Sequence, residues 1–172
     1  YFHFIKSIDK RYLLSCDSVL FLIIIQGIVG WYMVKSGLVN NITVSHYRLS
    51  LHLSIAFIII SIIFWILLNK KRDTFYRFFS NKKSSYLFYI LFFLIFSQII
   101  IGAFVSGLDA GKVYQNWPLM GYSYFPDDIS LQKITDFFDF HSHGLVQFYH
   151  RNIAYLILFY ILFIGFFIYI KN

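Results

Sequence analysis

The sequence predicts an all-α polytopic membrane helix bundle, with four transmembrane helices arranged as two parallel two-helix repeats. Composition is the first ground. Of 172 residues, 59% are hydrophobic and 23% aromatic, and the mean hydropathy is positive, which a soluble domain of this size does not carry. The second is length, since a helix needs roughly 20 apolar residues to cross a hydrocarbon core of about 30 Å. Four stretches qualify, from about Ser18 to Val34, Leu49 to Leu68, Ser85 to Gly107 and Gly144 to Ile170. The third is a recurring pattern of polar and small residues in alternate spans. The runs are continuous rather than alternating, and unpaired backbone groups are intolerable in lipid, so each span is a helix and not a barrel strand.

Charge orders the elements. The formal net charge is +7, but the cations lie between spans rather than along a nucleic-acid-binding face, so the expected partner is the lipid bilayer and not nucleic acid. Residues 1–172 read as one integral membrane region, with 1–69 ending a first half, 70–84 a basic link and 85–172 opening a second half. Lys70, Lys71, Arg72, Arg77, Lys82 and Lys83 crowd the link beside the single acid Asp73, which places it on the cytoplasmic or matrix side. The loop 108–143 carries Asp109, Asp127, Asp128, Asp136 and Asp139 against Lys112 and Lys133, and is expected outside. Lys6, Lys10, Arg11 and Lys171 then put both ends inside. No separate signal peptide is read. The chain starts on Tyr1, and residues 1–5 resemble the tail of an earlier apolar helix, so a piece of a longer protein is expected.

Cys16 is the single cysteine and cannot form an internal disulfide; no CxxC or CxxCH motif offers covalent haem attachment. A packing role is expected for it.

The repeat locates the candidate chemistry. Span one holds Gln26-x-x-x-Gly30 followed by Ser36-Gly37-Leu38, and span three holds Gln98-x-x-x-Gly102 followed by Ser106-Gly107-Leu108. Span two carries His52-x-x-Ile55-Ala56, and span four carries His150-x-x-Ile153-Ala154. Duplicated membrane units set such groups at equivalent depth. Ionisable groups inside spans are costly, so His52 and His150 are the leading site candidates, and a neutral imidazole can ligate iron. Ala56 and Ala154, four residues on, share each histidine's face and leave room for a flat ring. The alternative is that both histidines only bridge helices.

Arg48 lies on the face of His52, and Arg151 directly follows His150, so either can pair with a carboxylate near the outer interface; snorkelling to headgroups is the competing role. His46 sits on another face and reads as interfacial. Gly30 and Gly102 allow close approach of a helix or a ring, and Gln26 and Gln98 are expected to bond across helices. The outer loop, with Asn116-Trp117-Pro118-Leu119-Met120-Gly121 and Pro126-Asp127-Asp128, is expected to fold over the bundle's outward end. His141 and His143 lack companion ligands and read as exposed loop residues. The chain contains no glutamate, paired catalytic carboxylates, nucleophilic triad or phosphate loop, which removes support for hydrolase and nucleotide readings.

Two clusters of motifs carry a resemblance. Gln26-Gly-Ile-Val-Gly-Trp-Tyr-Met-Val-Lys-Ser-Gly-Leu38 with Val44-Ser-His-Tyr-Arg-Leu-Ser-Leu-His-Leu53 resembles haem A synthase. Gly102-Ala-Phe-Val-Ser-Gly-Leu-Asp-Ala-Gly111, Trp117-Pro-Leu-Met120 and Val146-Gln-Phe-Tyr-His-Arg151 resemble the same family's fifth span, outer loop and sixth span. The likeness covers nearly the whole chain and implies spans three to six of an eight-helix protein built from two four-helix halves. It implies that His52 ligates the iron of the substrate haem O and that His150 ligates the iron of a haem b cofactor, with Arg48 and Arg151 beside them. The implied reaction oxidises a methyl group of haem O to the formyl group of haem A for cytochrome oxidase, with water as oxygen source and haem b passing electrons. The family's acidic residue and its partner histidines, in the second and eighth spans, have no counterparts here, so no catalytic residue is assigned. Phe137 to Gly144 also reads shorter and richer in histidine than the family pattern.

The expected setting is a bacterial cytoplasmic membrane or, alternatively, a mitochondrial inner membrane. A haem O-producing farnesyltransferase and a second copy of the chain are candidate partners, and the electron donor is unassigned. Two other readings stay open: a non-catalytic cytochrome in which His52 and His150 clamp one b-type haem, and a haem-free membrane assembly subunit.

Overall fold

The computed structural model describes residues 10–37, 44–70, 83–130 and 133–171. Within them the chain is helical, apart from loops and one isolated bridge between Met120 and Ser123. Four helices dominate: α1 (Lys10–Gly37), α2 (His46–Lys70), α3 (Lys83–Gly107) and α4 (His143–Lys171). Each is long and apolar enough to cross a membrane. At about 1.5 Å per residue, even the 25-residue helices exceed a core of about 30 Å. The surplus lies largely at the basic ends, where the helix runs on into charged interface sequence such as Lys10 and Lys70. Lys71, Arg72, Asp73, Arg77 and Lys82 of the basic link lie outside the described residues, as do residues 1–9.

Local chemistry sets the helix ends. α3 stops at Gly107, after which Asp109 takes a left-handed conformation at φ 55°, one that aspartate tolerates better than most residues. α4 starts behind Ser142, whose hydroxyl accepts the Leu145 N–H at 3.4 Å while its carbonyl accepts the Val146 N–H at 3.1 Å.

Consecutive helices pack in chain order, α1 on α2, α2 on α3 and α3 on α4. An apolar core cluster, Ile101, Phe104 and Val146, lies where the loop-bearing ends of α3 and α4 meet, with Phe140, Tyr149 and Ile153 packed around it. Elsewhere little is buried: the most apolar window of α1 has no buried residue, and side chains such as Leu20, Phe21 and Phe159 point outward. Outward apolar faces suit a lipid solvent, which gives no hydrophobic drive for helices to hide them from one another. Cys16 is among the exposed residues.

Small residues allow the closest contact between the two repeats. α2 buries His46, Ser50 and Ser54, spaced one turn apart, and the end of α3 meets it so tightly that a Cβ on Gly107 would stand 2.8 Å from the His46 Cα. A separate cavity of about 390 Å³, lined by residues that include Ser18, Ser61 and Phe92, lies away from both site histidines.

Candidate functional site

The two helix pairs build the same arrangement twice. His52 on α2 reaches across to α1, where Gln26 Nε2 lies 3.1 Å from the ring Nε2 and 3.0 Å from the His52 carbonyl oxygen. His150 on α4 reaches across to α3, where Gln98 Nε2 lies 3.1 Å from the ring Nδ1 and 3.3 Å from Nε2. One turn beyond each glutamine stands the glycine of the repeat. A Cβ on Gly30 would meet His52 Cε1 at 3.1 Å, and a Cβ on Gly102 would meet His150 Cε1 at 3.1 Å. The Gln-x-x-x-Gly spacing is therefore a seat for one imidazole, with the carboxamide gripping it and the missing side chain giving it room. Both rings are half-buried, and Ala56 and Ala154 follow one turn on, the first half-buried and the second exposed.

Among the described residues, no carboxylate bonds either ring. Three buried polar atoms of these seats have no partner: Gln26 Oε1, Gln98 Oε1 and His52 Nδ1. Unmatched groups of this kind are uncommon inside proteins and ask for a reason. The rings belong to different helix pairs, so each imidazole has its own neighbours.

The two arginines have different surroundings. Arg48 lies over the ring of Tyr32 on α1, 5.0 Å from its centroid, a cation–π contact at the loop-bearing end of the first pair. Arg151 donates to the carbonyl oxygens of Tyr114 at 2.7 Å, Asn116 at 2.8 Å and, more weakly, Leu119 at 3.4 Å. Its guanidinium holds the outer loop down on α4.

Gln147 completes that clamp, a role that sequence reasoning missed. It is 5% exposed, and its Oε1 accepts the Tyr114 N–H at 3.2 Å while its Nε2 donates to the Tyr114 carbonyl at 2.8 Å. Gln147 and Arg151 stand four residues apart on one face of α4, a spacing that signals a shared task. Tyr124 adds a hydroxyl bond to Asn152 Oδ1 at 2.6 Å, and the Tyr149 hydroxyl donates to the Phe137 carbonyl at 2.7 Å. The Tyr114 hydroxyl donates to Asp128, and burial together with that bond pushes its pKa above the usual 10.0. The loop is thus folded over the end of the second pair from which it springs.

His46, which begins α2 and lies on another face from His52, is 5% exposed, because Gly107 lets α3 close over it. Its ring stands 5.0 Å from that of His141 and 5.2 Å from that of Phe104. His141 and His143 are exposed, as expected. Among the described residues, no three His, Cys or Asp side chains converge on a common metal position.

Comparison with known proteins gives a consistent picture. The sequence profile described as "Cytochrome oxidase assembly protein" (COX15-CtaA) matches residues 1–172. Among curated proteins, the "Heme A synthase" of Pelagibacter ubique (strain HTCC1062) is 44% identical over 154 residues, covering 90% of this chain and 45% of that protein. That of Rickettsia bellii (strain OSU 85-389) is 42% identical over 157 residues, covering 90% and 46%. That of a Wolbachia from Brugia malayi (strain TRS) is 40% identical over 161 residues, covering 92% and 48%. The chain thus spans about half the length of the curated relatives it matches. No solved structure matches it.

Proposed function

The chain belongs to the COX15-CtaA family of cytochrome oxidase assembly proteins, and from that premise we propose that it forms the central, two-site part of a haem A synthase. In this reading His52 ligates the iron of haem O, the substrate, and His150 ligates the iron of a resident haem b. The enzyme is an oxidoreductase acting on the methyl group that becomes the formyl of haem A. The observation that carries the reading is the duplicated seat: Gln26, Gly30 and His52 in one helix pair, and Gln98, Gly102 and His150 in the other.

The residues present fit a haem on physical grounds. Imidazole is a common iron ligand, and it binds a metal in its neutral form. His52 and His150 meet carboxamides rather than carboxylates, and the unpartnered Nδ1 of His52 is a polar atom without a structural use in the protein alone. A bound haem supplies the redox chemistry. The chain's part is to fix each imidazole, to keep the surroundings apolar and to close the outer end of the second pair with the loop held by Gln147 and Arg151. In this reading Arg48, which lies over Tyr32, pairs with a propionate at the same end of the first pair.

Separate neighbours for the two imidazoles favour two haems over one haem clamped between them. The outward apolar faces and the acidic outer loop support a multi-pass protein with the basic link on the cytoplasmic or matrix side. A haem O-producing farnesyltransferase is the natural supplier of substrate, and a second copy of the chain is a further candidate partner.

The test is haem content in membranes that also make haem O. Purified protein is expected to hold haem b together with haem O or haem A. His150→Ala should lose haem b alone, and His52→Ala should lose the other haem alone. Joint loss in either variant, in protein that remains folded, would support a single shared haem and overturn the assignment.

A further inference from the structure

In each helix pair an unbonded acceptor stands beside a ring that needs one. A neutral imidazole has one N–H donor and one lone pair. The carboxamide NH2 groups of Gln26 and Gln98 approach ring nitrogens at 3.1 Å, occupying a lone pair that a metal could use. The cost of that arrangement is visible on both partners: Oε1 of each glutamine is buried without a bond, and so is Nδ1 of His52. Turning the carboxamide end for end, with the ring proton shifting to the nitrogen that faces it, would give that N–H an acceptor and leave the lone pair of the other ring nitrogen free. The N and O ends of such a group are set by the surrounding hydrogen bonds, so a change of ring partner can turn it.

We propose that Gln26 and Gln98 are the positioning residues of the two imidazoles, each turning its carboxamide oxygen to the ring N–H when the other ring nitrogen takes iron. This rests on the reading of His52 and His150 as haem ligands. A partner on the far side of a ligating histidine fixes the ring's tautomer and raises its basicity, and it typically shifts metal affinity about 10–100-fold. A neutral carboxamide leaves the ligand neutral, whereas a carboxylate would push it toward imidazolate. The two pairs also differ. Gln26 Nε2 holds the His52 carbonyl oxygen at 3.0 Å, a bond with no counterpart at Gln98, so turning the carboxamide sacrifices more in the first pair. The first seat is therefore the weaker holder, which suits a ring that must leave as product. The second seat suits one that stays.

The test compares Gln98→Leu, Gln98→Glu, Gln26→Leu and Gln26→Glu in purified protein, reading the midpoint potential and retention of each haem. It also reads ¹⁵N shifts of the imidazoles in haem-free protein. Each Glu variant should lower the potential of the haem in its own pair and leave the other unmoved. Each Leu variant should weaken haem retention in its own pair about 10-fold or more and alter that ring's tautomer balance without haem. The inference is overturned if all four variants keep wild-type potentials and retention, or if a substitution in one pair changes both haems. His150→Ala separates the two levels of argument: haem b retained in that variant sinks the ligand assignment, whereas haem b lost there but indifferent to Gln98 sinks only this proposal. Should a Leu variant fail to accumulate, the Glu variant and the haem-free ¹⁵N spectrum still decide.

Discussion

A Cβ on Gly102 would stand 3.1 Å from Cε1 of His150, the same separation found between a Cβ on Gly30 and Cε1 of His52. Two helix pairs far apart in sequence have arrived at one spacing because the imaginary methyl position is where the imidazole edge lies. Gly27, three residues before Gly30, has nothing within 4 Å of its own Cβ position and serves as a built-in control.

Gly30→Ala and Gly102→Ala are accordingly expected to destabilise the protein by about 1 kcal/mol, and the Val variants by about 2–3 kcal/mol, as overpacking typically does. Gly27→Ala should be neutral or slightly stabilising, since alanine is the better helix former. Thermal unfolding in detergent measures all five. Equal behaviour of Gly27→Ala and Gly30→Ala would mean that the seat is not as tight as described.

Gly107→Ala should loosen the junction between the repeats, because its methyl would meet backbone, the His46 Cα at 2.8 Å, rather than a side chain that can swing away. A loss of about 2 kcal/mol is expected from overpacking. Gly165→Ala, with open space around it, is the matched control. An unchanged unfolding midpoint for Gly107→Ala would refute the close crossing of α2 and α3.

The outer loop should open when its clamp is cut. Gln147→Leu strands the N–H of Tyr114 and removes one of the two donors to its carbonyl, and a buried polar group left unpaired costs about 1–3 kcal/mol. Arg151→Ala removes the charged donors to Tyr114, Asn116 and Leu119. Both variants should be cleaved faster by a protease within residues 114–130, while Arg151→Lys, lacking the forked geometry, falls between wild type and alanine. Cleavage at wild-type rates in Gln147→Leu would show that the loop is held elsewhere.

Tyr114 gives the loop an alkaline limit. Burial and the bond to Asp128 hold its hydroxyl protonated above the ordinary 10.0. The folded pKa is the higher one, so the hydroxyl's contribution is full below the unfolded value and is lost as pH rises through the folded value. The difference in ultraviolet absorbance between wild type and Tyr114→Phe should titrate above pH 10. The wild-type loop should lose its advantage in protease resistance over that variant across the same range. Titration of the difference signal at or below pH 10 would contradict the burial of this hydroxyl.

Much of the architecture was legible because hydropathy is local. A run such as Ile58-Ile-Ile-Ser-Ile-Ile-Phe-Trp-Ile-Leu-Leu68 must be a helix in lipid whatever its neighbours do, and the helix spans follow from length alone. The seats were half legible. The repeat singled out Gln26, Gly30 and His52 with their counterparts, and predicted that the glutamines bond across helices, but a periodic pattern gives only the face and depth of a residue. That each glutamine would choose the histidine, and that each glycine would lie under the imidazole edge, depends on how two helices rotate about their axes.

Where a side chain met the loop, sequence reasoning fared less well. Arg151 read as a candidate partner for a carboxylate, a role that does not foretell its bonds to three backbone carbonyls, and Gln147 carried no assigned role although it lies in the same clamp. The sequence by itself determined that four apolar helices cross a membrane, with His52 and His150 at matching places in the two repeated units, because lipid leaves an apolar chain no other way to satisfy its backbone. Only the tertiary structure decided which polar groups meet, because hydrogen bonds act over about 3 Å and the partners here are residues 26 and 52 positions apart along the chain.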